Sequence, residues 1–99
     1  MRAVRIHQFG GIEAIVVEKI PRPAPTQGQV LVKVKAAGVG PWDAWVRAGK
    51  SALPQPLPLI LGSDLSGVVK EVGADVANFQ VGDEIFGVTN SQFTGAYAE

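Results

Sequence analysis

A mainly β fold, an antiparallel barrel of five or six short strands around one short helix, is what these 99 residues predict. Three observations carry that expectation. The chain has 12 glycines and 7 prolines, more than the average of about 12 per hundred for the two together, and both residues mark turns and sit poorly inside helices. Between those turns, apolar and polar side chains alternate over short runs, the period of a half-buried strand. One stretch alone, residues 41–48, carries the start and stop signals of a helix.

The elements follow in order. Ala3, Arg5 and His7 alternate with Val4, Ile6 and Gln8, and Gly10-Gly11 supplies a turn into AIVVEKI, residues 14–20, so an opening hairpin is expected. Three prolines at alternate positions make PRPAPTQGQ, residues 21–29, an extended connector, because each fixes φ and restricts the residue before it. Val30, Val32 and Val34 oppose Lys33 and Lys35 on a strand that runs into Ala36-Ala37-Gly38. In the helix, Pro41 stands in the first turn, Asp43 where a carboxylate favours the dipole, and Gly49 at the C′ position. Its spacing puts Trp42, Trp45 and Val46 on one face, and one of the two tryptophans is expected in the core. SALPQPLPLILG, residues 51–62, reads as a surface loop without an element of its own. DLSGVVKEVG is a strand whose Gly67 marks a bulge or a close backbone approach. Gly82-Asp83 turns the chain into another strand, and GAYAE at 95–99 begins one more.

Bulk composition removes several function classes. A chain of this length makes one domain, residues 1–99, burying roughly two-thirds of its unfolded surface. Nine basic and nine acidic residues cancel, so neither nucleic acid nor an anionic membrane finds an electrostatic footprint. Without cysteine there is no disulfide, thiolate nucleophile or thiolate ligand, and the single His7 builds no metal site alone. No apolar run approaches the ~20 residues of a membrane span. A soluble, cytoplasmic protein is expected.

Four stretches carry a family signature: AAGV-x-P-x-D at 36–43, LILG-x-DLSG-VV-x-x-VG at 59–73, F-x-VGD-x-x-FG at 79–87 and GAYAE at 95–99. In order and spacing the chain resembles the medium-chain dehydrogenase/reductase superfamily, on its zinc-independent quinone oxidoreductase or zeta-crystallin-like branch. The resemblance implies a GroES-like barrel forming one wall of an active-site cleft. It also implies a dinucleotide-binding Rossmann domain beyond residue 99 and a homodimer in the full-length form, the 99 residues being an incomplete front section. No G-x-G-x-x-G lies within them: Gly38-Val39-Gly40 runs into Pro41-Trp42-Asp43, and Gly62 to Gly67 lacks the middle glycine.

The resemblance also places the candidate site. Where the zinc-dependent branch has a cysteine ligand this chain has Gly40, and where that branch has Gly-His-Glu it has Gly62-Ser63-Asp64, so no zinc is expected. The quinone oxidoreductase branch usually reads Asn-Pro-x-Asp-x-Tyr where this chain reads Gly40-Pro41-Trp42-Asp43-Ala44-Trp45. Two polar groups are thereby lost, and restoring Asn at position 40 is expected to lower the barrier by about 1 kcal/mol. Gly40, Pro41 and Asp43 are the candidate cofactor contacts, with Asp43 the candidate catalytic carboxylate. Trp42, Trp45 and Asp64 are the candidate substrate contacts. Beside each stands a structural reading: Asp43 as a dipole partner, the tryptophans as core, Asp64 as a turn residue, Tyr97 as a packed strand aromatic and His7 as a surface imidazole.

The function implied is the substrate-side domain of an NADPH-dependent, zinc-free quinone or enone oxidoreductase, inactive by itself and binding no cofactor alone. The alternative is a stand-alone GroES-like module that binds a protein and catalyses nothing. The missing phosphate fingerprint favours the second, and the retained Pro41-x-Asp43 pattern favours the first.

Overall fold

A computed structural model describes residues 1–51, 56–90 and 94–99. Strands β1 (Arg2–Ile6) and β2 (Val16–Lys19) pair antiparallel, from Arg2 opposite Lys19 to Arg5 opposite Val16. The expected hairpin is present, but its connection is longer than a Gly10-Gly11 turn. Ile12–Ala14 wind into one 3-10 turn, closed by the Ile15 N–H on the Ile12 carbonyl at 3.1 Å, and Ala14 is buried by it. The start of the expected second strand is thus spent on filling the core.

Strand β3 (Val30–Gly38) leads to helix α1 (Pro41–Arg47), and β4 (Leu59–Ile60), β5 (Asp64–Val72) and β6 (Glu84–Val88) follow. Two three-stranded antiparallel sheets result, ordered β2-β1-β4 and β3-β5-β6. The mainly β architecture with one helix is the predicted one. The irregularity expected at Gly67 lies beside it: Val34 faces Gly67 and Ala36 faces Ser66, which leaves Lys35 as the extra residue on β3. Gly67 itself answers to a close approach, since a Cβ there would lie 2.2 Å from the Lys33 carbonyl oxygen.

The loop expected over residues 51–62 needs correction at its end. Leu59–Ile60 pair with Ile6 and Arg5 as β4, and Leu59 and Leu61 are buried. The prolines stop at Pro58 and the apolar run after them is drawn into the core; residues 52–55 of that stretch lie outside the described residues. Leu59 and Leu61 join Ile6, Ala14 and Val46 in a cluster beneath α1, with Ile15 and Tyr97 packed against it. Full burial of a side chain such as Ile6 contributes about 1.5–3 kcal/mol.

The strand expected from GAYAE is an extended segment with one bridge, Ala3 to Ala98. It threads between two partners: the Val4 N–H donates to the Tyr97 carbonyl at 2.8 Å, and the Tyr97 N–H donates to the Leu61 carbonyl at 2.9 Å. Those bonds fix where Tyr97 stands. Elsewhere, a groove of about 550 Å³ opens on the β3-β5-β6 sheet, lined by residues such as Leu31, Leu65, Phe79 and Ile85. Among the described residues no helix is long and apolar enough to cross a membrane.

Candidate functional site

The site grows from the start of α1. Gly40, extended at φ −119° and ψ 166°, caps the helix, and Pro41 follows at its first position, where a missing N–H costs nothing. Asp43, three residues beyond the cap, turns back so that its Oδ2 accepts the Gly40 N–H at 2.9 Å. The carboxylate is 7% exposed, and a second donor makes that burial tolerable: the Tyr97 hydroxyl lies 2.9 Å from the same Oδ2 and 3.1 Å from the Gly38 carbonyl oxygen. Its single proton is shared between those two acceptors. Burial first, and then the hydrogen bond to Asp43, push the Tyr97 hydroxyl up to about 12. Tyr97 is therefore a donor locked in its neutral form.

The expectation that one tryptophan fills the core is corrected. The buried residues of α1 are Asp43 and Val46, whereas Trp42 is 41% and Trp45 57% exposed. Because the Gly40 amide and the Tyr97 hydroxyl satisfy Asp43, the helix can turn a carboxylate inward and leave both indoles outside. Trp42 is nevertheless fixed. Its Nε1–H donates to Ser63 Oγ at 2.9 Å, and its ring lies against Gly40 so closely that a Cβ there would stand 2.3 to 2.6 Å from three ring carbons. Position 40 thus has no room for Asn while the indole keeps its place.

Across from α1, Gly62 takes a left-handed φ of 93°, and a Cβ on it would meet the Tyr97 ring at 2.4 Å. Ser63, 3% exposed, anchors Trp42, and Asp64 opens β5 opposite Gly38. The Asp64 carboxylate is half-buried and close enough to add to the rise in Tyr97. Gly40, Trp42, Ser63, Gly62, Tyr97 and Asp43 therefore form a closed circuit of contacts. It joins the candidate residues Gly40, Pro41, Trp42 and Asp43 to Asp64, with Trp45 one turn along the helix. Sequence reasoning missed Ser63 and Tyr97. GAYAE marked Tyr97 by resemblance, but no local signal ties it to a carboxylate 54 residues earlier. His7 is exposed as expected and pairs with Glu18 at 2.5 Å.

The circuit makes a rigid base with an aromatic outer face. It does not make a phosphate cradle: Pro41 has no N–H, the Gly40 N–H is taken by Asp43, and a buried carboxylate stands where an anion would arrive. Among the described residues no group of three or more His, Cys, Asp or Glu side chains is placed to hold a metal ion.

Residues 26–99 match the alcohol dehydrogenase GroES-like domain family. The chain belongs to that family. Human quinone oxidoreductase is 42% identical over 100 residues, a match that spans 100% of this chain and 30% of the human protein. Escherichia coli quinone oxidoreductase, solved in complex with NADPH, superposes with a TM-score of 0.89 at 28% identity over 99% of this GroES-like domain and 29% of that chain. Human synaptic vesicle membrane protein VAT-1 homolog-like protein superposes equally, with a TM-score of 0.89 at 32% identity over 98% and 30% of the two chains. The domain stands on the quinone oxidoreductase branch of the medium-chain dehydrogenase/reductase superfamily. It spans about 30% of the length of the human relative.

Proposed function

We propose that this GroES-like domain is the substrate-side wall of an NADPH-dependent, zinc-free quinone or enone oxidoreductase. The observation that carries the reading is the outward face of α1, two partly exposed indoles standing on the locked Asp43–Tyr97 base. Such a face suits a flat conjugated carbonyl from which water must be kept away. NADPH, when bound, supplies the hydride. The residues described here do not fit its pyrophosphate, which must be anchored by another part of the protein, and this domain meets at most the nicotinamide end.

Within the reading, Pro41 gives the cofactor a flat approach at the start of α1, whereas Gly40, expected as a cofactor contact, is covered by the Trp42 ring and serves to admit it. Trp42, Trp45 and Asp64 face the substrate. Asp43 changes role: expected as a catalytic carboxylate, it is buried with Oδ2 engaged by two donors, so it acts as a positioning residue that holds Gly40 and α1 in place. The zinc-free part of the proposal is supported by the indole of Trp42, which fills the gap between Gly40 and Ser63, the two positions where the zinc-dependent branch carries ligands.

The test uses the full-length protein, with NADPH and 1,4-naphthoquinone or a conjugated enone, following nicotinamide absorbance. The expected result is one NADPH oxidised for each quinone reduced to hydroquinone, unaffected by a zinc chelator. No NADPH consumption with either substrate class would overturn the reading in favour of a non-catalytic interaction module.

A further inference from the structure

We infer that Ser63 is the positioning residue of Trp42, and that the pair sets the wall's preference for fused-ring carbonyl substrates over single-ring ones. The inference rests on the reading above and deepens it. Trp42 is held from two directions. Its pyrrole edge donates to Ser63 Oγ at 2.9 Å, while its benzo edge is pressed on Gly40, whose lack of a side chain is what admits the ring. An indole so held still presents 41% of its surface. Trp45, three residues on and 57% exposed, extends the same helix surface.

A flat substrate gains from an aromatic wall in proportion to the ring overlap, and it gains more when the wall is already ordered, because no rotamer freedom is then lost on binding. A fused bicyclic quinone can overlap both rings of an indole, whereas a single-ring quinone overlaps one. Releasing the indole therefore penalises the larger substrate more. Ser63 is suited to hold the ring and to nothing else visible: it is 3% exposed, its side chain accepts from Trp42, and its carbonyl receives the Thr89 N–H at 2.9 Å. That main-chain bond survives any change of the side chain. In Ser63→Ala the indole of Trp42, a residue 41% exposed, can turn its N–H to water, so the fold loses little and the orientation is what goes.

The experiment is a cycle in the full-length protein with Ser63→Ala, Trp42→Phe and the double variant, measuring kcat and KM for 1,4-naphthoquinone and 1,4-benzoquinone. Trp42→Phe keeps a ring but has no N–H for Ser63 to accept. The expected result is a fall of about threefold to tenfold in the naphthoquinone to benzoquinone ratio of kcat/KM for Ser63→Ala, carried mainly by KM. In the Trp42→Phe background Ser63→Ala should add nothing. An unchanged ratio, or the same fall in both backgrounds, would overturn the inference. In parallel, the Trp42 indole N–H resonance of uniformly ¹⁵N-labelled protein reports the anchor without turnover. It should exchange slowly with solvent in the parent and fast in Ser63→Ala; equal rates would show that Ser63 holds nothing. If the parent oxidises NADPH with neither quinone, the proposed function and the substrate preference fall together, while slow exchange confined to the parent would keep the anchor.

Discussion

Asp43 is buried, at 7% exposure, and what keeps its carboxyl group there is that both polar groups aimed at its Oδ2 are donors, the Gly40 amide and the Tyr97 hydroxyl. One consequence is a pH dependence. The hydroxyl's ordinary value of 10.0 rises to about 12 in the fold, so the folded chain keeps a proton that the unfolded chain has already released. Its contribution to stability is complete below pH 10 and is lost as pH rises through about 12. Urea titrations across that window should show the parent losing stability more steeply than Tyr97→Phe, and parallel slopes would contradict the bond. A second consequence concerns Gly40. Read from the sequence alone, Gly40→Asn should raise turnover in the full-length protein. With the indole of Trp42 filling that space, the single substitution should instead lower kcat/KM and cost about 1–3 kcal/mol in stability, and adding Trp42→Ala should recover most of the stability; turnover rising with the single variant would show that the ring yields freely. The sequence made Pro41 and Asp43 visible because caps are local. It left Tyr97 and Ser63 dark because their partners are brought together only by the fold.

At the scale of elements, α1 is short, and both ends are fastened. Its start is held by Asp43. Its end is latched to the β1–β2 connection, where the Gly10 N–H donates to the Arg47 carbonyl at 3.0 Å and Arg47 Nε donates to the Gly10 carbonyl at 3.3 Å. Gly49 closes the helix at φ 77°, with the Phe9 ring against it. Gly49→Ala should therefore cost about 1–2 kcal/mol from backbone strain alone, and more because its Cβ would stand 2.9 Å from Phe9 Cγ. A denaturant midpoint unchanged from the parent would contradict this account of the cap. Start and stop of this helix were legible since Pro, Asp and Gly each act through their own backbone. The Gly82-Asp83 turn was legible for the same reason, with Gly82 at φ 98° and the Asp83 N–H on the Gln80 carbonyl at 3.1 Å. The 3-10 turn at Ile12–Ala14 and the two-residue β4 were not, because each is shaped by what its apolar side chains pack against rather than by any periodicity of its own. The same holds for the helix face: spacing grouped Trp42 with Val46, whereas the buried pair is Asp43 and Val46.

For the whole molecule, two small sheets hold α1 and the turn at Gly62-Ser63 together, and the result is a wall rather than an enclosure. The groove of about 550 Å³ on the β3-β5-β6 sheet is lined by none of Gly40, Trp42, Asp43, Ser63 or Tyr97, so the proposed chemistry belongs to the outer face of the helix and needs a second wall to close it. That division of labour is the central claim, and cofactor affinity tests it directly. Trp42 and Trp45 are the chain's two tryptophans, both at the proposed face, so intrinsic fluorescence of the isolated 99 residues during an NADPH titration reads this face alone. With Gly40 N–H occupied by Asp43 and Pro41 offering none, the start of α1 offers the pyrophosphate no anchor, and the signal should fall only by the inner-filter effect. Saturable quenching at micromolar NADPH would show that this domain binds the cofactor by itself and would contradict the account.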